Sequence, residues 1–230
     1  MSDQSDGAAP ECACAEGPFI FGVSGHRDLA RPDLPELRRQ LEKVFARFAA
    51  AYPNAAFELW SPLAEGADQL AAEVALAHGI KVIVPLPMSQ PEYERDFETA
   101  ESLAEFRRLL ARAESQFEVA DSAGDSSLSL SLSDPIVRTE KYAALGDFIA
   151  RKSHVLILLW DGSDNQKVGG TAWVKKRREH WEKLGAEEMR EGFGYAGTVH
   201  IVTPREGVAR MGLKQPRVET VSELPSPRKC

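Results

Sequence analysis

Two short stretches of the chain gather small, hydroxyl-bearing and cationic residues in the way an anionic ligand needs. In Gly22-Val-Ser-Gly-His-Arg-Asp28, Gly22 and Gly25 let backbone approach a ligand closely, Ser24 can donate a hydrogen bond, and Arg27 can grip a phosphate with parallel N–H groups. His26 can donate to a phosphate or serve as a general acid. In Gly169-Gly170-Thr171 the amides of a helix start, with the helix dipole behind them, offer an anion site that no Cβ blocks. Asp161, in the acidic turn ahead of it, and Glu65, in Ser61-Pro-Leu-Ala-Glu-Gly-Ala-Asp68, can accept from ribose hydroxyls, and Glu65 could also act as a base. Gly66 opens the helix behind Glu65. Tyr93 could stack on a base or belong to the core. Each loop also has a plainer reading, in which glycines make turns and Gly170, Glu65 or Asp68 only favour a helix N-terminus.

These loops matter only if the elements around them bring them together. Apolar runs at Phe19–Val23, Ala56–Trp60, Lys81–Leu86, His154–Trp160 and Thr198–Val202 read as strands, with a short one at Phe117–Val119. Helical patterns fall between them. Asp33 and Glu36 form the spacing of a capping box for a helix to about Tyr52, and further helices are expected at Ala67–His78, after Pro91, at Pro135–Lys152 and from Thr171 to about Leu184. Gly79 suits the residue after a helix end. Alternating strands and helices with short links predict a three-layer α/β Rossmann-like domain with a mostly parallel sheet. Ligands of such sheets sit at the carboxyl ends of the strands.

The expected organisation is a disordered tail over 1–17, one domain over 18–204 and a mobile, proline-rich tail over 205–230. The Ser/Leu-rich stretch 121–134 reads as an exposed loop or one edge strand. Lys175–Glu179, with four basic residues in a row, reads as a solvated helix surface. No run approaches the roughly 20 apolar residues of a membrane helix, and the first residues lack a secretion signal, so no membrane partner and a cytosolic location are expected. With 28 basic against 35 acidic residues the net charge is −7, from which bulk nucleic-acid binding is expected to be absent. Cys12, Cys14 and Cys230 lie in the tails and the histidines are scattered, so neither a metal nor another cofactor is expected.

The motifs "GVSGHRDL", "SPLAEGADQLAAEVAL", "VPLPMSQPEYERDF", "LILLWDG" and "GGTAWV", in this order over about 18–204, resemble the SLOG superfamily of Rossmann-like nucleotide-binding domains, related to the Lonely Guy phosphoribohydrolases and DNA-processing protein A. The resemblance implies a nucleotide-derived ligand, a nucleotide or an ADP-ribose-like derivative, bound by a signalling sensor or ligand-binding module. Its output would pass through a homo-oligomer or a separate effector chain. The alternative it implies is a nucleotide N-glycosidase. In that branch a glutamate follows the Gly-Gly-x-Gly-Thr motif. Here Trp173 and Val174 hold the corresponding positions, and Glu65 or Asp161 would have to supply the carboxylate.

Overall fold

The computed structural model describes residues 17–119, 134–164, 166–207 and 216–220. Seven strands, β1 Phe19–Gly25, β2 Phe57–Trp60, β3 Lys81–Leu86, β4 Ser115–Glu118, β5 Val155–Trp160, β6 Gly197–Val202 and β7 Arg217–Thr220, form one sheet in the order β4-β3-β2-β1-β5-β6-β7. Every neighbouring pair is parallel except β6–β7. Six α-helices connect them: α1 Leu34–Ala51, α2 Ala67–Ala77, the short α3 Gln90–Tyr93, α4 Ala100–Leu110, α5 Pro135–Lys152 and α6 Thr171–Lys183. The fold is a three-layer α/β Rossmann-like arrangement.

The unbroken apolar run of β5 follows from cover on both faces. Val155, Ile157 and Leu159 enter the larger core with Phe19, Phe21 and the apolar faces of α1 and α2. Leu156 and Leu158 enter a smaller core with Leu145, Ile149 and Ala150 of α5 and Val174 of α6. The period of two along the strand thus divides the helices into two layers.

The structure departs from expectation in three places. Asp33 precedes α1 without a side-chain cap, and Glu36 instead bonds Arg39 and Gln40, so the capping box is not formed. Arg217–Thr220, placed by composition in the unpacked C-terminal tail, pairs antiparallel with β6 as the edge strand. One strand partner is enough to order a polar segment whose own periodicity is too short to read. Third, Arg178 of the expected solvated basic run is fully buried. The loop expected over 121–134 lies outside the described residues except for Asp134, which caps α5 by accepting from the Ile136 amide at 2.8 Å. The N-terminal segment 1–16 and the three cysteines also lie outside them. Among the described residues no helix is long and apolar enough to cross a membrane.

Candidate functional site

The strand order reverses between β1 and β5, and a crevice opens where adjacent connections leave in opposite directions. A cleft of about 310 Å³ occupies that place, lined by the β1 exit, the loop before α6, and residues of α2, α3 and α5. Its size lies at the lower end for small-molecule sites.

One wall joins the two loops that the sequence singled out. Ser24, Gly25, His26, Arg27, Gly169, Gly170 and Thr171 all line the cleft. The hydroxyl of Ser24 donates to that of Thr171 at 3.4 Å across 147 residues of chain. Gly170 precedes α6 without a side-chain cap, so the amides of the first turn open toward the cleft. Gly169 has a φ of +76°, a left-handed turn that delivers the chain to this helix start.

The other expected residues sit elsewhere. Gly22 faces α5, where a Cβ would stand 2.7 Å from Ile149 Cγ2, so its smallness serves helix–sheet packing. Gly66 lets the start of α2 press against the β1 exit, and Ala67 N donates to His26 O at 3.0 Å. Glu65 does not line the cleft: its carboxylate accepts from Ser102 Oγ and from the Glu98 amide, tying the loop before α2 to α4. Asp161 also stays outside the lining, accepting from Ser163 N at 2.8 Å and Oγ at 2.6 Å. Burial pushes the Asp161 carboxyl up, but the Ser163 hydrogen bonds and the facing His26 hold it below its ordinary range. The two carboxylates considered for glycosidic chemistry are therefore engaged in holding loops.

His26 has a structural partner of its own. The Asp161 amide donates to His26 Nε2 at 3.0 Å, which leaves the proton of the neutral ring on Nδ1. Burial pulls its pKa below the ordinary histidine value against the pull of Asp161. The ring thus clips the β1 exit to the β5 exit as a neutral acceptor.

The inner wall holds residues whose roles were not legible in sequence. Asp68, 6% exposed, lines the cleft from the first turn of α2. Burial raises its pKa to about 7, with Arg27 pulling the other way. Tyr93 is wholly buried and its hydroxyl has no hydrogen-bond partner among the described residues. Tyr142 donates to Asp96 at 2.5 Å, and Arg138 holds the same carboxylate at 2.6 Å. Arg27 is exposed by area yet surrounded by Tyr142, Tyr93 and Asp68, as befits a side chain in the mouth of a cleft. A signal for Asp68 existed: with Ala71, Ala72 and Ala75 it follows the 3, 4, 7 spacing of the buried face of α2.

Asp68→Asn is expected to raise stability at pH 8 by about 1–2 kcal/mol and to change it little at pH 4. The folded-state pKa lies above the unfolded one, so the folded protein binds the extra proton. The site therefore weakens the fold as pH rises from about 4 through about 7. Urea unfolding of both proteins across that range measures it.

Arg27, Lys167 and Arg205 line the cleft against Asp28 and Asp68, and Arg205 pairs with Asp28 at 2.8 Å. With the α6 dipole added, this local balance favours an anion in a chain whose net charge is −7.

No protein-family model and no curated protein matches the chain. Among solved structures it is similar to DNA processing protein A from Streptococcus pneumoniae, at 15% identity and a TM-score of 0.41, over 71% of this chain and 47% of that one. It is also similar to DNA processing protein A from Helicobacter pylori, at 17% identity and 0.44, over 75% and 66%. A third is the Moco carrier protein from Chlamydomonas reinhardtii, at 12% identity and 0.39, over 82% and 78%. The chain thus spans about half to two thirds of the two DNA processing proteins. One expectation is corrected. The Helicobacter pylori structure is described by its single-stranded DNA binding mode, so nucleic acid is not excluded as a partner on the ground of net charge. A whole-chain charge sum is an average and does not describe the field inside a cleft lined by three cationic side chains.

Proposed function

We propose that the protein binds a nucleotide-derived ligand, a nucleotide or an ADP-ribose-like derivative, as a sensor or ligand-binding module, with a phosphate seated on the first turn of α6. The observation that carries this reading is the meeting of Ser24 and Thr171 at an uncapped helix start inside a cationic cleft. Backbone amides and two hydroxyls would donate to phosphate oxygens, and the dipole would favour their charge. Arg27, with donors facing the open cleft, adds a charge-assisted contact.

Among the described residues no carboxylate occupies the place where a glycosidase would stabilise an oxocarbenium ion from the α6 side. Val174 lines the cleft there and Trp173 packs beside α5. Binding without cleavage is the reading supported.

Calorimetric titration with AMP, ADP and ADP-ribose tests it. Thr171→Val keeps the shape and removes the hydroxyl, and it is expected to weaken binding about tenfold or more while the unfolding midpoint stays put. Chromatography after incubation is expected to return the nucleotide intact. Equal affinity in wild type and variant, or a single-stranded oligodeoxynucleotide binding more tightly than any free nucleotide, would overturn the reading.

A further inference from the structure

We infer that the inner wall of the cleft is a second anion subsite, built from Arg27, Tyr93 and Asp68, which takes the second phosphate of a diphosphate-bearing ligand with uptake of one proton. This rests on the proposed phosphate seat at α6 and deepens it by naming the ligand class.

The first support is Tyr93. A fully buried phenol without a hydrogen-bond partner is a cost the fold carries unless something donates to it or accepts from it, and this one lines the cleft. Burial holds the phenol well above its ordinary pKa, so it presents an O–H donor. The second is Arg27. Its guanidinium carries five N–H groups, and its hydrogen bonds are a long one of 3.4 Å to the Asp96 carbonyl and one with Tyr142. Donors remain for a ligand. The third is Asp68, which lines the cleft, accepts from the Ala64 backbone and has no salt-bridge partner among the described residues. An arriving phosphate oxygen would repel its carboxylate, and taking a proton from solvent onto that carboxylate turns a repelling acceptor into a third donor.

The charged groups around Asp68 agree with this. From the β1 exit comes Arg27 and from α3 comes Tyr93, and Tyr142 of α5 faces these two with its hydroxyl committed to Asp96. Asp96 itself is held by Arg138. Arg27 is thus the cation that electrostatically faces Asp68, and protonating Asp68 frees it to serve the ligand. A ribose diol in the same place would need the opposite: an ionised Asp68 accepting from its hydroxyls.

ADP-ribose separates the two, because each of its phosphates, bonded through one ester and the shared anhydride oxygen, keeps a single strongly acidic site whose charge stays constant between pH 6 and 8. Its affinity is expected to fall about tenfold across that range, with proton uptake seen by calorimetry in buffers of different ionisation enthalpy. Asp68→Asn is expected to flatten the pH dependence. Tyr93→Phe is expected to weaken ADP-ribose about tenfold, leave AMP unchanged, and leave the unfolding midpoint equal or higher, since a buried orphan hydroxyl is removed. Affinity that rises with pH, or ADP-ribose binding unchanged in Tyr93→Phe, would overturn the inner subsite while AMP binding sensitive to Thr171→Val leaves the α6 seat standing. Failure of both AMP and ADP-ribose to bind would remove both.

Discussion

Arg178→Met is expected to lose about 3–5 kcal/mol of stability, enough to unfold a marginal domain. The side chain is fully buried, and its guanidinium is the common donor of three chain segments. Nη1 donates to the carbonyls of Ala150 at 2.9 Å and Ser153 at 2.6 Å; Nη2 donates to those of His154 and Gly197, each at 3.0 Å. Nε reaches Glu182 at 2.9 Å. The first of these carbonyls belongs to the last turn of α5, whose terminal C=O groups have no partner within the helix. The others stand at the entries to β5 and β6. Methionine restores most of the volume and none of the donors, so four buried carbonyls lose the guanidinium together, His154 O alone keeping the Gly197 amide at 2.9 Å. Arg178→Lys is expected to fall between the two, because one ammonium cannot address four acceptors arranged around a planar fork. Urea denaturation measures all three proteins, and a methionine variant as stable as wild type would show the network to be dispensable.

Gly66→Ala is expected to lose about 3 kcal/mol and, with it, ligand binding. Gly66 has a φ of +77° and a ψ of −109°, a conformation that L side chains rarely adopt. An added Cβ would stand 2.3 Å from the Arg27 carbonyl oxygen and 2.6 Å from that of His26. Both are backbone atoms, so no rotamer change relieves the contact. The β1 exit must move, and it carries Ser24, His26 and Arg27 into the cleft. Stability and affinity should therefore fall together, in contrast to Thr171→Val, where affinity falls alone. A stable Gly66→Ala protein with wild-type affinity for AMP would show that the loop has room to give.

How far the site could be read in advance differs from residue to residue. Ser24 and Thr171 were each legible, because a glycine-flanked hydroxyl at a strand exit or helix start is a local pattern. That they meet at 3.4 Å depends on β1 lying beside β5, with Ser24 in register with Leu158. Glu65 and Asp161 looked equally apt for ribose, being acids in the right loops. The Glu65 carboxylate turns to a partner far along the chain, Ser102, whereas that of Asp161 turns to Ser163 two residues on. Asp68 was read as a helix N-terminus acid, and only the approach of Arg27 and the packing around α2 make it a buried, proton-holding group. Arg178 sits four residues after buried Val174, on the same face of α6. Yet nothing local announces that four carbonyls of other segments will converge there.

By itself the sequence determined the alternating strands and helices, the doubly covered sheet and the strand exits that border the cleft. Each of these follows from propensity and periodicity, which act over a few neighbouring residues. Tertiary structure alone decided the antiparallel edge of β7, the burial of Arg178, the removal of Glu65 from the cleft and the grouping of Arg27, Asp68 and Tyr93. Those features depend on desolvation and on hydrogen bonds between segments far apart in the chain. Such terms have no value until the sheet order sets which groups lose water together and which partners they meet.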